Sequence, residues 1–566
     1  MKKANTRMFL LMLAVIVMAI TIIACGDDDS ITPTPPNNQE EPNKPNKEEN
    51  KPNEKEEDTE EDDEEKNDTN YNITSIVFPI QRNAALNDTM TLYPDENNVF
   101  SERMYDIKYD HTRPYMMPAN LKKLYIEFKS DAHTIYVNGI EHKDTTPYDF
   151  TNPVTVTACA DTGTEKTYTI ELKNFTGLPI VYINTASGQE VQDKENYEDA
   201  TIEIIGVKDL PGLEKMDMRI HGRGNSSWDT FKKKPSYTIS LNEKKKLLGM
   251  PKHKKWVLIS NYRDKTLLRN NVAWWISSHL SGIKYTPRFY HVELILNGRH
   301  RGVYQLVEQI RIDDDRVNIN EMQPTDTEGE AITGGYIIEL DRGSDADQWG
   351  WALPYLQGGS HRANIKKPKI DESNQAQHDY IKDYLFKVDK LLGTSEDMTN
   401  VMKQYIDMPS WAAQWLVFEL SGTPEPNGPS SWYTYKDKND DKWYCGPPWD
   451  FDYRSYLPDT ANGWVNKNYV YQPYMRQYAP YREVLVKQWG EIQPLLPELI
   501  KYINEQREYM RYSAEANWYI HDQNLIDDNR RENGDEFIPS DDAIDRMIEY
   551  LEQKWVFVEN NIRNLQ

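Results

Sequence analysis

The stretch HGRGNSSWDTFKKKPSYTISL at residues 221–241 decides how the large C-terminal part of this chain is read. Its end, SYTISL, alternates hydroxyl and apolar side chains with the period of two expected of a strand. Ahead of that strand Gly222 and Gly224 flank Arg223, and Lys232, Lys233 and Lys234 lead into it. Glycines between two strands let backbone N–H groups approach an anion closely. The same pair also suits a plain tight turn. Among the lysines, Lys234 is the one most readily projected on the side that carries Ser236, Thr238 and Ser240; the alternative is a solvated charge at the start of the strand.

Outward from this stretch the chain keeps strand texture from about 176 and then changes. Residues 265 to 280, KTLLRNNVAWWISSHL, place apolar side chains at 267, 268, 272, 275, 276 and 280, one face of a helix. HVELILNG and GVYQLVEQI follow as two strands joined by Asn297-Gly298, a hairpin turn pair. Beyond 371 the pattern is mainly helical, at 376 to 393, at 408 to 421 and from 482 to the end. Helix WAAQWLVFEL stops at Gly422, a residue that ends helices. The loop TPEPNGPS comes next, and the hairpin SWYTYKD with KWYCG delivers PWDFD. Glu425 and Asp450 are thereby 25 residues and one hairpin apart.

Several long blocks lie in one order: 221–241, LLGMPKHKKWVLISNYRDKTLLRNNVA (247–273), YTPRFYHVELILNGRHRGVYQLVEQIRIDDDRVNI (285–319), GGYIIELD (334–341) and GPPWDFD (446–452). Together they resemble the spore-coat protein H (CotH) family of atypical, protein-kinase-like proteins. The resemblance covers about 176 to 455, with the C-terminal helices completing the domain. It implies a two-lobed α+β domain over 176–566, β-rich to about 370, that transfers phosphoryl from ATP to Ser or Thr of a protein substrate with Mg²⁺ or another divalent cation. Kinases set a lysine on a strand after a glycine-rich turn, a loop acid at the acceptor hydroxyl, and a metal-binding Asp shortly after. Carried onto this chain, Gly222, Gly224 and Lys234 would hold phosphate. Glu308 would sit at the hinge or cleft wall, or else pair with Arg311. Glu425 would orient the hydroxyl, and Asp450 would bind metal, with Asp452 and Asn427 as further oxygen ligands. The family pattern has Asn-x-Asp where this chain has Thr423-Pro424-Glu425, and Ser stands at 430. A misplacement near 1 Å can cost on the order of a hundredfold in rate, so a catalytically degenerate protein that binds surface glycan or serves adhesion is the alternative. Clusters such as DQWGWALPY and NGWVNKNYVYQPY could then stack on sugar rings, or pack in the core.

The N-terminal part is unlike all of this. A basic start, the apolar run FLLMLAVIVMAITIIA and Cys25 follow signal-peptide grammar, and IIAC resembles a lipobox whose Cys25 becomes lipidated. Residues 26–70 carry 18 acidic side chains against 5 lysines and almost no apolar ones, the composition of a disordered, self-repelling tether. An acidic run after a lipidated Cys resembles the surface-export signal of Bacteroidota lipoproteins, which implies an outer-membrane, surface-exposed location. Residues 71–175 read as SIVFPI, KLYIEF, TIYVNG, VTVTACA and TYTIEL, short strands with turns between, and predict a small all-β sandwich; the runs HTIYVNGIEHKD and YDFTNPVTVTACADTGTEKTYTIEL resemble immunoglobulin-like modules, which implies a spacer or docking module. A net charge of −25 without a basic, aromatic-interleaved patch argues against nucleic acid. Beyond Cys25 only Cys159 and Cys445 remain, too few for a disulfide framework or a Cys-built metal site.

Overall fold

The structure is a computed structural model that describes residues 71–565 apart from 84–85, 87–88, 111–112, 175–176, 208, 225–227, 229–232, 344–347, 357–358, 360 and 529–531. The expected signal peptide, the lipidation site Cys25 and the acidic tether lie outside the described residues.

From 71 to 174 the short β-branched runs pair into two sheets. Ile73–Phe78 lies between Met90–Leu92 and Glu127–Ser130. The second sheet runs Arg113–Pro118, Val99–Asp110, Glu165–Asn174, Val154–Cys159, Thr134–Val137, Ile140–Glu141. Alternation works as the sequence suggests: Val154, Val156 and Ala158 point inward while Thr155 faces water. Ile76, Phe78, Phe100, Val156 and Ile170 share one apolar core.

Seven strands then close into a barrel: β1 (Ile180–Thr185), β2 (Glu198–Ile205), β3 (Leu213–Arg223), β4 (Ser236–Lys245), β5 (His253–Ile259), β6 (Phe289–Leu296) and β7 (Arg299–Glu308), in the order β1-β2-β3-β4-β5-β7-β6. The closing pair, β1 with β6, is parallel. Ile183, Ile202, Ile220, Ile239, Trp256 and Leu306 fill the interior. The β6–β7 turn uses the expected Asn297-Gly298, both with positive φ (51° and 75°). Helix α1 (Arg269–Ser278) begins four residues later than the 265 start in the apolar pattern. The Asp264 carboxylate takes the Thr266 hydroxyl and N–H, and Leu267 sits at φ 59°, so a turn precedes the helix.

A second sheet is built from β8 (Tyr336–Asp341), β9 (Gly350–Ala352), β10 (Arg362–Lys367), β11 (Trp432–Lys436) and β12 (Tyr444–Cys445), in the order β9-β10-β8-β11-β12. One face of it joins the main helical core, where Trp411, Trp415, Phe418 and Trp432 are fully buried. The other face, through Ile337, Tyr433 and Tyr435, meets Val307 of the barrel and Trp274 of α1. Helices α2 (Gln375–Thr394), α3 (Met398–Tyr405), α4 (Met408–Ser421), α5 (Ala479–Ile492), α6 (Leu496–Asp528) and α7 (Ser540–Asn561) complete the chain. The protein is therefore a mixed α+β chain with a strand-rich N-terminal region and a helical C-terminal region. Cys159 and Cys445 are both free. Among the described residues no helix is long and apolar enough to cross a membrane.

Candidate functional site

Gly422 ends α4 in the left-handed conformation (φ 65°), where a Cβ would fall 2.3 Å from the Tyr550 hydroxyl. The chain turns at once into the short 3₁₀ segment Glu425–Asn427, flanked by Pro424 and containing Pro426. Thr423 steadies it by donating to the Tyr453 carbonyl at 3.0 Å. Arg342, just past β8, donates to the Gly428 carbonyl at 2.8 Å and so ties this loop to the Asp341 end of the second sheet. Asp450 follows β12 and adopts φ 73°, a conformation that non-glycine residues keep only where surrounding contacts hold them. Three contacts hold it there. Trp274 donates to the Pro448 carbonyl at 3.0 Å, Asn270 accepts the Phe451 N–H at 2.9 Å, and Ser431 donates its hydroxyl to Asp450 Oδ2 at 3.1 Å.

Carboxyl groups act on one another pairwise here, Glu425 with Asp450 and Asp341, and Asp452 with Asp450. Burial, and next the charge of Asp450, push Glu425 up to about 8, against the pull of Ser430 and Arg342. Asp452 lies well above the ordinary carboxylate range through burial, then Asp450 and Asp264, and is hydrogen-bonded to Asp450. Asp341 rises to about 6 through burial and Glu339. Neighbouring like charges disfavour ionisation, which a bound cation would relieve. Among the described residues no group of three or more His, Cys, Asp or Glu could hold a metal ion. Asp450 and Asp452 thus offer a pair of carboxylates. That number suits Mg²⁺, which keeps several waters and usually takes one or two carboxylates plus phosphate oxygens. Asn427 is exposed on the same turn as Glu425.

Two cations lie in the same neighbourhood. The Arg223 guanidinium lies over the Trp449 ring at 5.3 Å, and Lys366 pairs with Glu339 at 2.9 Å. Both act on Tyr433, whose hydroxyl burial and Glu339 hold well above its usual range. A hollow of about 590 Å³ lies elsewhere, lined by Lys244, His253, Asp313 and Asp437. The converging chemistry is at the Asp450 corner.

The remaining sequence-expected positions do other work. Lys234 is buried; its amino group donates to the Val303 carbonyl and to Asn517 of α6, both at 2.7 Å, over the Tyr304 ring. Burial pushes it down to about 7, so it serves as a strut between barrel and helix instead of a cleft ammonium. Gly222 gives its N–H to the Asp193 carbonyl at 2.7 Å, and a Cβ there would collide with Trp228 at 2.0 Å. Room for an indole, not approach to an anion, accounts for that glycine. Gly224 (φ 101°) turns the chain out of β3. Glu308 is fully buried, clasped by Arg288 at 2.8 and 2.9 Å and by the Tyr285 hydroxyl, with Arg316 at 3.8 Å. Its ion partners include Arg288 and Arg316. The aromatic clusters also turn inward: Trp349 and Trp351 flank His378, and Trp464 packs on Trp415 and Phe557.

Sequence reasoning passed over Asp341, Arg223 and Lys366. Period-two alternation was the available signal. It places Glu339 and Asp341 of GGYIIELD on one face, and Arg219, His221 and Arg223 of MRIHGR on another.

Compared with known families, residues 219–529 match a family model described as CotH kinase protein. No curated protein matches the chain.

Proposed function

The chain belongs to the CotH kinase protein family, and we propose that it transfers a phosphoryl group from ATP to a Ser or Thr hydroxyl of a protein substrate in the cleft between the barrel and the second sheet. The observation that supports this reading is that Glu425 and Asp452 both lie close enough to Asp450 to feel its charge, with Arg342 acting on Glu425 and Arg223 over the neighbouring Trp449 ring. We read the 176–566 region as a two-lobed kinase-like fold and the 71–175 region as an immunoglobulin-like module. Cys25 is proposed to be lipidated, with the 26–70 tether carrying the rest away from the outer membrane at the cell surface.

In this mechanism Asp450 and Asp452 would hold the divalent cation, which supplies charge neutralisation on phosphate oxygens when bound. Arg223 and Lys366 face phosphate oxygens. Glu425 orients the acceptor hydroxyl. As the new bond forms between acceptor oxygen and γ-phosphorus and the bond to the ADP oxygen breaks, the hydroxyl proton passes to Glu425 and then to water. The added methylene of Glu425 relative to the family's Asp sets the reach of this group. The test is Mg²⁺-dependent ATP binding by the purified protein, read by calorimetry, with γ-phosphate transfer to Ser- and Thr-containing polypeptides. Binding and transfer are expected. Absence of Mg²⁺-dependent ATP binding by folded protein would overturn the assignment.

A further inference from the structure

The stretch that carries the acidic pair is unusual backbone: Asp450, Arg454 and Tyr456 all have positive φ, at 73°, 49° and 54°. None is glycine, and such backbone persists only where its surroundings over-determine it. From α1, Asn270 accepts the Phe451 N–H and Trp274 donates to the Pro448 carbonyl. Tyr456 gives its N–H to the Ser421 carbonyl at 2.6 Å, which ties the far end of the stretch to the last turn of α4, just ahead of Glu425. The middle is held from a more distant part of the chain.

Asn533, between α6 and α7, is buried. Its side-chain oxygen accepts the Arg454 N–H at 2.7 Å, while its nitrogen donates to the Asp452 carbonyl at 3.0 Å and to the Arg263 carbonyl at 3.1 Å. One amide thus fixes the backbone on both sides of Tyr453 and joins it to the turn ahead of α1. Only a side chain with both a donor and an acceptor can do this. Asn533 is itself fixed, because the Glu536 carboxylate accepts the N–H groups of Glu532 and Asn533, each at 2.6 Å. Two residues further on, Asp535 takes Arg269 at 2.6 Å, and Arg269 reaches the Ser455 carbonyl at 3.2 Å. Asn533 and Asp535 lie beyond residues 219–529, so the family match does not account for this hold.

We infer that Asn533 is a positioning residue of the acidic corner: by fixing the backbone on both sides of Tyr453 it holds Asp452 beside Asp450, so that the two carboxylates can share one divalent cation. Asn533 touches neither cation nor nucleotide and acts through Asp452. Partners of this outer kind typically contribute about 10–100-fold to metal affinity. The inference rests on the metal role proposed for Asp450 and Asp452; the three hydrogen bonds of Asn533 do not.

The experiment titrates the full-length protein with Mg²⁺ at fixed ATP, binding being read by calorimetry, and follows hydrogen exchange at the Phe451 amide, which Asn533 does not touch. Asn533→Ala is expected to raise the Mg²⁺ needed for half-maximal binding on the order of tenfold and to speed exchange at Phe451. Asn517→Ala removes another buried amide, in the contact between barrel and α6. It should lower stability and leave the Mg²⁺ requirement within about twofold, which separates positioning from general destabilisation. Asn533→Asp keeps the oxygen that takes the Arg454 N–H and loses the donor to Asp452. It should also weaken Mg²⁺, whereas a bare negative charge near the pair would tighten it, and it stands in should Asn533→Ala not fold. A Mg²⁺ requirement unchanged in folded Asn533→Ala, shifted as far by Asn517→Ala, or lowered by Asn533→Asp overturns the inference. If the wild type binds no ATP, the phosphoryl-transfer reading fails by itself, and titration with Mn²⁺ alone decides the inference by the same comparison; a wild type that also takes no Mn²⁺ overturns it.

Discussion

Two β-rich regions of this chain bury very different things. In the 71–174 region the described buried side chains are apolar except for Ser75, Asn83 and Asn174, none of them charged. The barrel and its α1 junction bury, among other polar groups, Lys234, Asp264, Arg269, Glu293, Glu308 and three histidines, His253, His291 and His300. A buried charge is tolerated only when paired and hydrogen-bonded. Asp264 and Asp535 both grip Arg269 at 2.6 Å, and His300 meets Glu293 at 2.6 Å. The difference teaches where chemistry can be held. The first region needs only a surface of its own, whereas the second spends stability on fixing a loop, since Arg269 also donates to the Ser455 carbonyl just past Asp452.

The largest test of this contrast is at the site. Glu425→Gln should lower phosphoryl transfer by about 10²–10⁴-fold with ATP binding nearly intact, and Asp450→Ala should abolish Mg²⁺-dependent ATP binding. Lys122→Met, which removes the N-terminal region's ion pairs to Glu203 and Glu214, should change neither by more than about twofold. A large effect of Lys122→Met on transfer would break the comparison.

Next comes the buried triad. Arg269→Ala leaves Asp264 and Asp535 without their common partner and should cost about 3–5 kcal/mol in urea denaturation. A loss under about 1 kcal/mol would show that these carboxylates simply take up protons.

Lys234 gives a pH signature. Its amino group sits at about 7 in the fold against 10.5 when unconstrained. Below pH 7 both states are charged and its burial penalty is complete. Between about 7 and 10.5 the unfolded chain holds a proton that the folded one has released, so stability rises with pH by at most about 1.4 kcal/mol per unit. Lys234→Met should flatten that rise, measured by denaturation at pH 7, 8 and 9. An unchanged slope would place the titration elsewhere.

The smallest effect belongs to the N-terminal core. Ile170→Val removes one buried methylene and should cost about 0.5–1.5 kcal/mol, leaving ATP binding unaltered. Altered binding would mean that the two regions are energetically linked.

Much of this architecture was legible in local pattern. The Asn297-Gly298 hairpin, the α4 stop at Gly422 and the hairpin that leads to Asp450 follow from residues within a few positions of one another. The carboxylates Glu425, Asp450 and Asp452 could be named for the same reason, because one short hairpin brings their segments together. Lys234 and Glu308 could not be placed in that way. Asn517, which holds Lys234, lies 283 residues further on, and Arg288 reaches Glu308 from the strand-entering segment before β6. The reason for Gly222 was not legible, because the group that needs the space, the Trp228 ring, is set against it only by the fold.

By itself the sequence determined the α+β organisation, the acidic corner and the family, since period, turn chemistry and block order are properties of neighbouring residues. Only the tertiary structure decided which face of each strand looks into the closed barrel, that Lys234 is a strut, and that Arg269 joins Asp264 to Asp535. The physical reason is closure. Alternation sorts side chains into two faces but does not say which is inside, and once the barrel closes and the second sheet docks, charges from distant segments are set against one another.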